Sequence, residues 1–290
     1  MSNKSGSCKV IKFAPSDEIP TELMEFAEDY FEVTSQDYNV DGSIQLVGYM
    51  RYNADENELI KQAKQAGIVL LPYSIEIVHS DNWLADNVIE FAPVEVGDFL
   101  IYGIHEKNIN LNNKIGIKVY AATAFGSEHQ TTKSCLQGIL DINQLSGDVH
   151  QVLDVGTGSG ILAIAAAKLW PNSKIVAVDI DEEAVQVAAQ NAADNDVTSN
   201  ITAAYSDGYT SDIVRNSAPY DVILANILAR PLIAMARDMS LSLKIGGYAV
   251  ISGFIDEQVD WVLNAHEQCS LKLVKLYKID NWCAALLKRI

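Results

Sequence analysis

From Gln151 onward the chain alternates between strand and helix, and near its end the alternation stops. Apolar runs suited to strands fall at Val152–Val155, Lys174–Val178, Ile201–Tyr205, Tyr220–Ala225 and Tyr248–Ser252. Helical periods lie between or after them, at Ile161–Leu169, Glu182–Asn195, Leu232–Leu243 and Gln258–Cys269. Parallel neighbours need a crossover helix and bury both faces, so this order predicts an α/β domain with a doubly wound sheet. The tail breaks the rule. Leu271–Ile279 and Trp282–Lys288 are joined only by Asp280-Asn281, which leaves room for a hairpin and no crossover. The expected sheet is mostly parallel and ends in an antiparallel hairpin.

The first 80 or so residues keep a different rhythm. Cys8–Phe13, Phe31–Ser35, Ser43–Tyr52 and Tyr73–His79 read as strands, with a turn at Asn39-Val40-Asp41-Gly42. Pro20–Tyr30 and Asp55–Ala66 read as helices, the second capped by Asp55 and ended by Gly67. The order β-α-β-β-α-β predicts a small α+β ferredoxin-like domain. Up to Pro72 it carries twelve Asp/Glu against six Lys/Arg and no residue set suited to catalysis, so it reads as a docking module or a structural one. Asp81–Tyr120 forms a connector with strands at Phe99–Ile104 and Ile115–Tyr120, and Gln130–Ile142 is a helix. The predicted division is residues 1–80, a connector over 81–121, and a main domain over 122–290.

Charge and composition narrow the function. A formal net charge of −17, with no Lys/Arg run, argues against a phosphate backbone as a direct partner and would attract a basic protein. No apolar stretch approaches the ~18 residues of a membrane span, and the amino terminus has no apolar signal segment. Cys8, Cys135, Cys269 and Cys283 show no C-x-x-C pairing and no histidine at metal spacing. The expectation is a cytoplasmic protein with reduced thiols, no metal site, no membrane association and no direct nucleic-acid contact.

The chemistry gathers where the first strand of the alternating region meets its helix, in V-L-D-V-G-T-G-S-G-I-L-A. Gly156 can turn with positive φ, and Gly158 and Gly160 allow close approach of a ligand to backbone N–H groups at a helix start. A dinucleotide site spaces its glycines G-x-G-x-x-G. Here the third comes one residue early and Asp154 precedes the bend, as in class I methyltransferases, whose parallel sheet also ends in a hairpin. On that likeness the ligand is S-adenosyl-L-methionine, with Asp154 near its ammonium, directly or through water. Asp179, at the end of the second strand, suits ribose hydroxyls. Asp181 suits the N-cap of the next helix, with Glu182 and Glu183 in its first turn. Asp207, in Ser206-Asp207-Gly208, reads either as an adenine contact or as a turn former.

The fourth strand runs out at Asn226, in L-A-N-I-L-A-R-P-L. An isolated asparagine there would be read as the cap of the following helix. Beside a sulfonium at the carboxyl edge of the sheet it has a second reading. Its amide oxygen can accept the N–H of an amine and aim the lone pair at a methyl carbon. Amine methyltransferases commonly place Asn-Pro-Pro-Tyr here, and this chain has Asn-Ile-Leu-Ala. Without a stacking aromatic, the position suits a flexible aliphatic amine better than adenine.

The chain resembles the ribosomal protein L11 methyltransferases. The likeness runs from about Asp81 to the end, and the small amino-terminal domain fits it in kind. It is carried by the glycine bend, Asp179-Ile180-Asp181, Ala225-Asn226-Ile227-Leu228-Ala229 with Pro231-Leu232, and Ser252-Gly253 with Gln258. Asn281-Trp282-Cys283 and Ala124-Phe125-Gly126 with His129, Thr131 and Thr132 complete it. The resemblance implies a ferredoxin-like domain that recognises the ribosomal protein and a domain that methylates its lysine ε-amines and N-terminal α-amine. It also implies donor contacts at Thr132, Gly156, Asp179 and Asn226. Thr132 would sit near the donor's carboxylate end, the alternative being a plain helix-surface threonine. Departures from the family pattern are a shorter Phe125–His129 loop that holds Glu128, an Arg230 next to the amine site, and Trp83 alone in place of a tryptophan pair. They bear on substrate choice and efficiency. The rival readings are an N-methyltransferase for nucleic-acid adenine or a small amine, and a donor-binding module without turnover.

Overall fold

The computed structural model describes residues 7–16, 18–31, 33–38, 43–51, 56–79, 92–106, 109–120 and 130–290. The turn at Asn39–Gly42, the Asp55 cap, Trp83 and the Ala124–His129 motif lie outside them. The chain divides into two compact units, Met1–Asn87 and Val88–Ile290.

In the smaller unit the elements are β1 (Ser7–Phe13), α1 (Thr21–Tyr30), β2 (Val33–Tyr38), β3 (Ile44–Arg51), α2 (Glu56–Ala66) and β4 (Tyr73–His79). They form an antiparallel sheet of order β2-β3-β1-β4, the ferredoxin-like arrangement. Period-2 alternation puts Ile11 and Phe13 of β1 and Leu46 and Met50 of β3 on one face. There they pack with Leu23 and Ala27 of α1, with Phe31 just past its end and with Leu59 of α2, so both helices lie on the same side of the sheet.

The larger unit begins with β5 (Val94–Val96), β6 (Phe99–Gly103) and β7 (Ile115–Val119), a three-stranded sheet, and then α3 (Gln130–Leu145). The alternating region follows as β8 (Gln151–Val155), α4 (Ile161–Leu169), β9 (Lys174–Asp179), α5 (Glu182–Asp194), β10 (Ile201–Tyr205), α6 (Asp212–Ser217) and β11 (Tyr220–Asn226). After these come α7 (Ala229–Ala234), α8 (Ala236–Ser242), β12 (Leu243–Ile255), α9 (Val259–Glu267), β13 (Leu271–Ile279) and β14 (Trp282–Arg289). The main sheet has seven strands in the order β10-β9-β8-β11-β12-β14-β13. The first five are parallel, and β14 pairs antiparallel with both β12 and β13.

Why the central strands are largely apolar is visible in the packing. Val152, Ile175, Val222, Leu224 and Val250 face one layer, with Leu136 and Ile139 of α3 and the apolar helix α4. Leu153, Val155, Val176, Ile223 and Ile251 face the other, with Leu232 of α7, Met239 of α8 and Val262 of α9. A strand covered on both sides has no polar face to keep.

One expected helix is different. The Leu232–Leu243 segment starts earlier, at Ala229, and breaks at Met235 into α7 and α8. Pro231 sits in the first turn of α7, where a missing N–H costs nothing. Leu243 is already strand, paired with Tyr220 at the start of β11. The short α6 and β5 carry too few residues for a period to register.

Candidate active site

The glycine bend sits at the carboxyl ends of β8 and β9, where ligands of open parallel sheets gather. Gly156, Gly158 and Gly160 have φ of 70°, 52° and 79°, a region that side chains with a Cβ avoid. Their surroundings differ. A Cβ on Gly156 would lie 2.2 Å from Cγ2 of Ile227, the residue after Asn226, so the bend and the end of β11 touch at this point. A Cβ on Gly158 would meet nothing within 4 Å. At Gly160 the neighbour is Ala188 of α5, 3.1 Å away. The absence of a Cβ at Gly160 thus lets the start of α4 pack closely against α5.

The bend is tied down on several sides. The N–H groups of Gly156 and Thr157 donate to the Val178 carbonyl at 2.9 and 3.0 Å. Asp154 is 1 % exposed, and its Oδ2 accepts from Thr157 Oγ1 at 2.7 Å and from the Ala163 N–H at 3.2 Å. Asp154 Oδ1 is buried and has no hydrogen-bond partner among the described residues. Burial pushes the Asp154 carboxyl up to about 7, further helped by the charge of Asp179 and opposed by the Thr157 and Ala163 hydrogen bonds. Asp179 Oδ2 accepts from the Gly158 N–H at 2.9 Å, and its Oδ1 accepts from the Asp181 N–H at 3.1 Å. Each oxygen keeps a second lone pair for a hydroxyl. Asp181 caps α5, accepting from the Glu183 N–H at 2.9 Å. Asp207 is exposed in the turn after β10, where its carbonyl accepts from the Thr210 N–H, a geometry compatible with both readings of it.

Asn226 is half-buried at the last position of β11, opposite Ser252 of β12. It does not cap the next helix, whose N-cap is Leu228. The chain turns away at once, with the Ile227 N–H on the Ser252 carbonyl at 3.0 Å. Gly253, with φ of 99°, makes room for Ile227, whose carbonyl oxygen would lie 2.1 Å from a Cβ there. Asn226 Nδ2 donates to Thr132 Oγ1 at 3.4 Å, so the planar amide turns its Oδ1 the other way. Thr132 is 3 % exposed in the first turn of α3 and is therefore no surface threonine. Leu228 is 68 % exposed beside the site, and Arg230 is exposed as well.

Two sets of residues in this region escaped the sequence reading. The first braces α3. Asp141 Oδ2 accepts from Lys275 Nζ at 2.5 Å and from the Tyr277 hydroxyl at 2.6 Å, and Gln130 Nε2 donates to Asp280 Oδ2 at 2.9 Å. The terminal hairpin thus holds the helix that presents Thr132. The second is a pair of amides on α5. Asn191 Oδ1 accepts from the Tyr120 N–H at 2.7 Å, and Asn191 Nδ2 donates to the Ser159 carbonyl at 2.7 Å and to the Tyr120 carbonyl at 3.3 Å. Asn195 Oδ1 accepts from the Lys118 N–H at 2.9 Å, and its Nδ2 donates to the Lys118 carbonyl at 2.6 Å. A signal was present. Asn191 and Asn195 continue the buried stripe Ala184, Val187, Ala188, where an amide has to find buried partners.

The main sheet, with its terminal hairpin and a glycine bend facing a polar strand end, defines a class I methyltransferase. Residues 9–290 match the model of the family described as ribosomal protein L11 methyltransferase (PrmA). The chain belongs to the ribosomal protein L11 methyltransferase family. It is 37 % identical over 240 residues to the ribosomal protein L11 methyltransferase of Rhizobium meliloti (strain 1021), covering 81 % of this chain and 82 % of that one. The protein of the same name from Brucella suis (strain ATCC 23445 / NCTC 10510) is 35 % identical over 264 residues, 91 % of each. Among solved structures, the ribosomal protein L11 methylase of Lactobacillus delbrueckii subsp. bulgaricus aligns with a TM-score of 0.60 and 29 % identity. That alignment covers 69 % of this chain and 99 % of that one.

Proposed function

We propose that this chain transfers methyl groups from S-adenosyl-L-methionine to amino groups of ribosomal protein L11, lysine ε-amines and the N-terminal α-amine, in the cytoplasm. Asn226 aims the accepting nitrogen. The observation that carries this reading is the end of β11, where an amide tethered through Nδ2 to Thr132 stands against the glycine bend through its neighbour Ile227.

The residues suit the donor. Buried Asp154 Oδ1 offers an unused anionic acceptor for an ammonium, and the open side of Gly158 gives room beside backbone. Asp179 has acceptor capacity for ribose hydroxyls. When bound, the donor supplies an electrophilic methyl carbon on a positively charged sulfur. An amine can attack that carbon only after losing a proton to solvent, since an ammonium has no lone pair. The ordinary lysine pKa is about 10.4 and that of an α-amine about 8. Partial desolvation and nearby positive charge lower both. Asn226 Oδ1 would accept one N–H of the neutral amine and orient its lone pair, while Thr132 fixes the amide plane. The exposed aliphatic Leu228 gives a lysine stem an apolar surface to lie on. The acidic small domain, with a net excess of carboxylates, suits docking of a basic protein.

The test is to incubate the purified protein with labelled donor and total ribosomal proteins and RNA. The expected result is label in L11, at amino groups located by mass spectrometry. Label in RNA, or spread over many proteins, would overturn the substrate assignment.

A further inference from the structure

The fully buried amide of Asn191 has no place in the chemistry described so far, yet it joins three parts of the larger unit. It lies at 0 % exposure on α5, and the hydrogen bonds of its side chain go to backbone groups. One hydrogen bond, at 2.7 Å, reaches the carbonyl of Ser159, the residue between Gly158 and Gly160. Two more grip both backbone groups of Tyr120, just past β7. Ser159 is 5 % exposed, so its carbonyl has no water to turn to if Asn191 is lost. Asn195, one turn later, makes the same two-way grip on Lys118 of β7 but does not touch the bend.

We propose that Asn191 is a positioning residue for the methyl donor, holding the Ser159 peptide so that the adjoining Gly158 backbone keeps its open face toward the ligand. The inference rests on the donor-binding reading above. The remaining ties of the bend come from Val178 and Asp179 of β9, from Asp154 of β8 and from the Gly160 N–H, which donates to the Thr157 carbonyl. Asn191 supplies the hydrogen bond from α5, at Ser159 between two glycines of positive φ, where the backbone resists little. Removing it leaves Gly158 anchored on one side only. Asn195, the C-cap of α5, is the built-in comparison: same buried stripe, same kind of grip on β7, a bond to the Asn191 carbonyl at 2.8 Å and none to the bend.

The experiment compares Asn191→Ala, Asn191→Asp and Asn195→Ala with the wild type in three measurements. These are melting temperature, calorimetric affinity for S-adenosylhomocysteine, and hydrogen exchange of the amides of residues 156–161 without ligand. All variants should melt lower, since each loses hydrogen bonds of a buried group. The Asn191 variants should also bind the thioether on the order of tenfold more weakly and exchange the bend amides faster. Asn195→Ala should stay within about twofold of wild type in affinity. Asn191→Asp keeps an acceptor for the Tyr120 N–H and loses the donor to Ser159, so it serves if Asn191→Ala does not fold. Equal loss of affinity in the Asn191 and Asn195 variants, or unchanged bend exchange in the Asn191 variants, would overturn the proposal. A wild type that does not bind the thioether at all would instead refute the donor reading beneath it.

Discussion

The two ends of β11 carry polar side chains under opposite regimes. At the start, Asp221 Oδ2 accepts from the N–H groups of His150 and Gln151, each at 2.9 Å, and Oδ1 accepts from Lys244 Nζ at 2.5 Å. At the finish, Asn226 makes one long bond to Thr132. Asp221 spends its oxygens on joining β11 to β8 and β12, while Asn226 keeps its amide oxygen uncommitted by that bond. A strand in a parallel sheet is symmetrical in its backbone pairing and asymmetrical in its surroundings. Helices begin at the carboxyl edge, where their N–H groups are unsatisfied, so under-used polar groups belong there. Sparse bonding at that edge is the mark of a group waiting for a partner, and dense bonding at the other edge is the mark of a clamp.

Substitutions can break or sharpen that contrast. The largest effect belongs to Asn226→Ala, which should slow methyl transfer to L11 on the order of 100-fold through lost alignment. Binding of S-adenosylhomocysteine should change far less and the melting temperature hardly at all. Initial rates set beside calorimetry decide it, and equal losses in both would reduce Asn226 to a donor contact.

Next comes Asp221→Ala at the other end. Loss of two N–H bonds to a charged group should cost about 2 kcal/mol of stability, the half-exposed Lys244 adding little. Activity at 25 °C should survive. Burial tends to raise the Asp221 carboxyl, but Lys244 and the Gln151 and His150 N–H groups win and hold it below the ordinary carboxylate range. A depressed folded value means the contribution is full above the unfolded carboxylate range and disappears as pH falls through the folded one. Denaturation of variant and wild type should therefore converge in acid. A gap that persists there would show that packing, not charge, does the clamping.

Asp154, level with Leu224 on the neighbouring strand, tests the ligand side. Its raised value, about 7, means the folded protein holds this proton more tightly than the unfolded chain does. Its contribution to stability accordingly falls as pH rises from the ordinary carboxylate range through about 7. A bound ammonium favours the carboxylate, so binding releases the proton. Affinity for S-adenosylhomocysteine should improve about tenfold between roughly pH 6 and 8. Asp154→Asn should flatten that dependence, and titration calorimetry across the range would reveal a variant that does not. The smallest effect is expected at Arg230, exposed on α7 just past Asn226. Arg230→Ala should alter the L11 rate by less than about threefold, in keeping with a surface change. A tenfold loss would mean that this arginine touches the protein substrate.

Much of this architecture could be read from the chain alone. Ile161–Leu169, Ile201–Tyr205 and Leu271–Ile279 fall on the boundaries expected of them, because each is bounded by glycine or turn residues that leave no choice. The place of Asn226 at the end of its strand was legible for a similar reason, since it closes a buried apolar run. The break at Met235 was not, because Leu232–Leu243 has a continuous helical period; nor was its end, which the pairing of Leu243 with Tyr220 sets. Asn191 and Asn195 were missed because an amide on a helix normally reads as surface, and their partners on Tyr120 and Lys118 are backbone groups more than seventy residues away. Their place on the buried stripe marked them as buried, but not which backbone groups they would bind.

The hairpin of β13 and β14 follows every other element in chain order, yet it grips α3, more than a hundred residues earlier, through Asp141 and Gln130. A ribosome translating this message therefore exposes the glycine bend long before the threonine helix can be locked in place. The bracing of the Thr132 helix thus depends on strands made after the glycine bend.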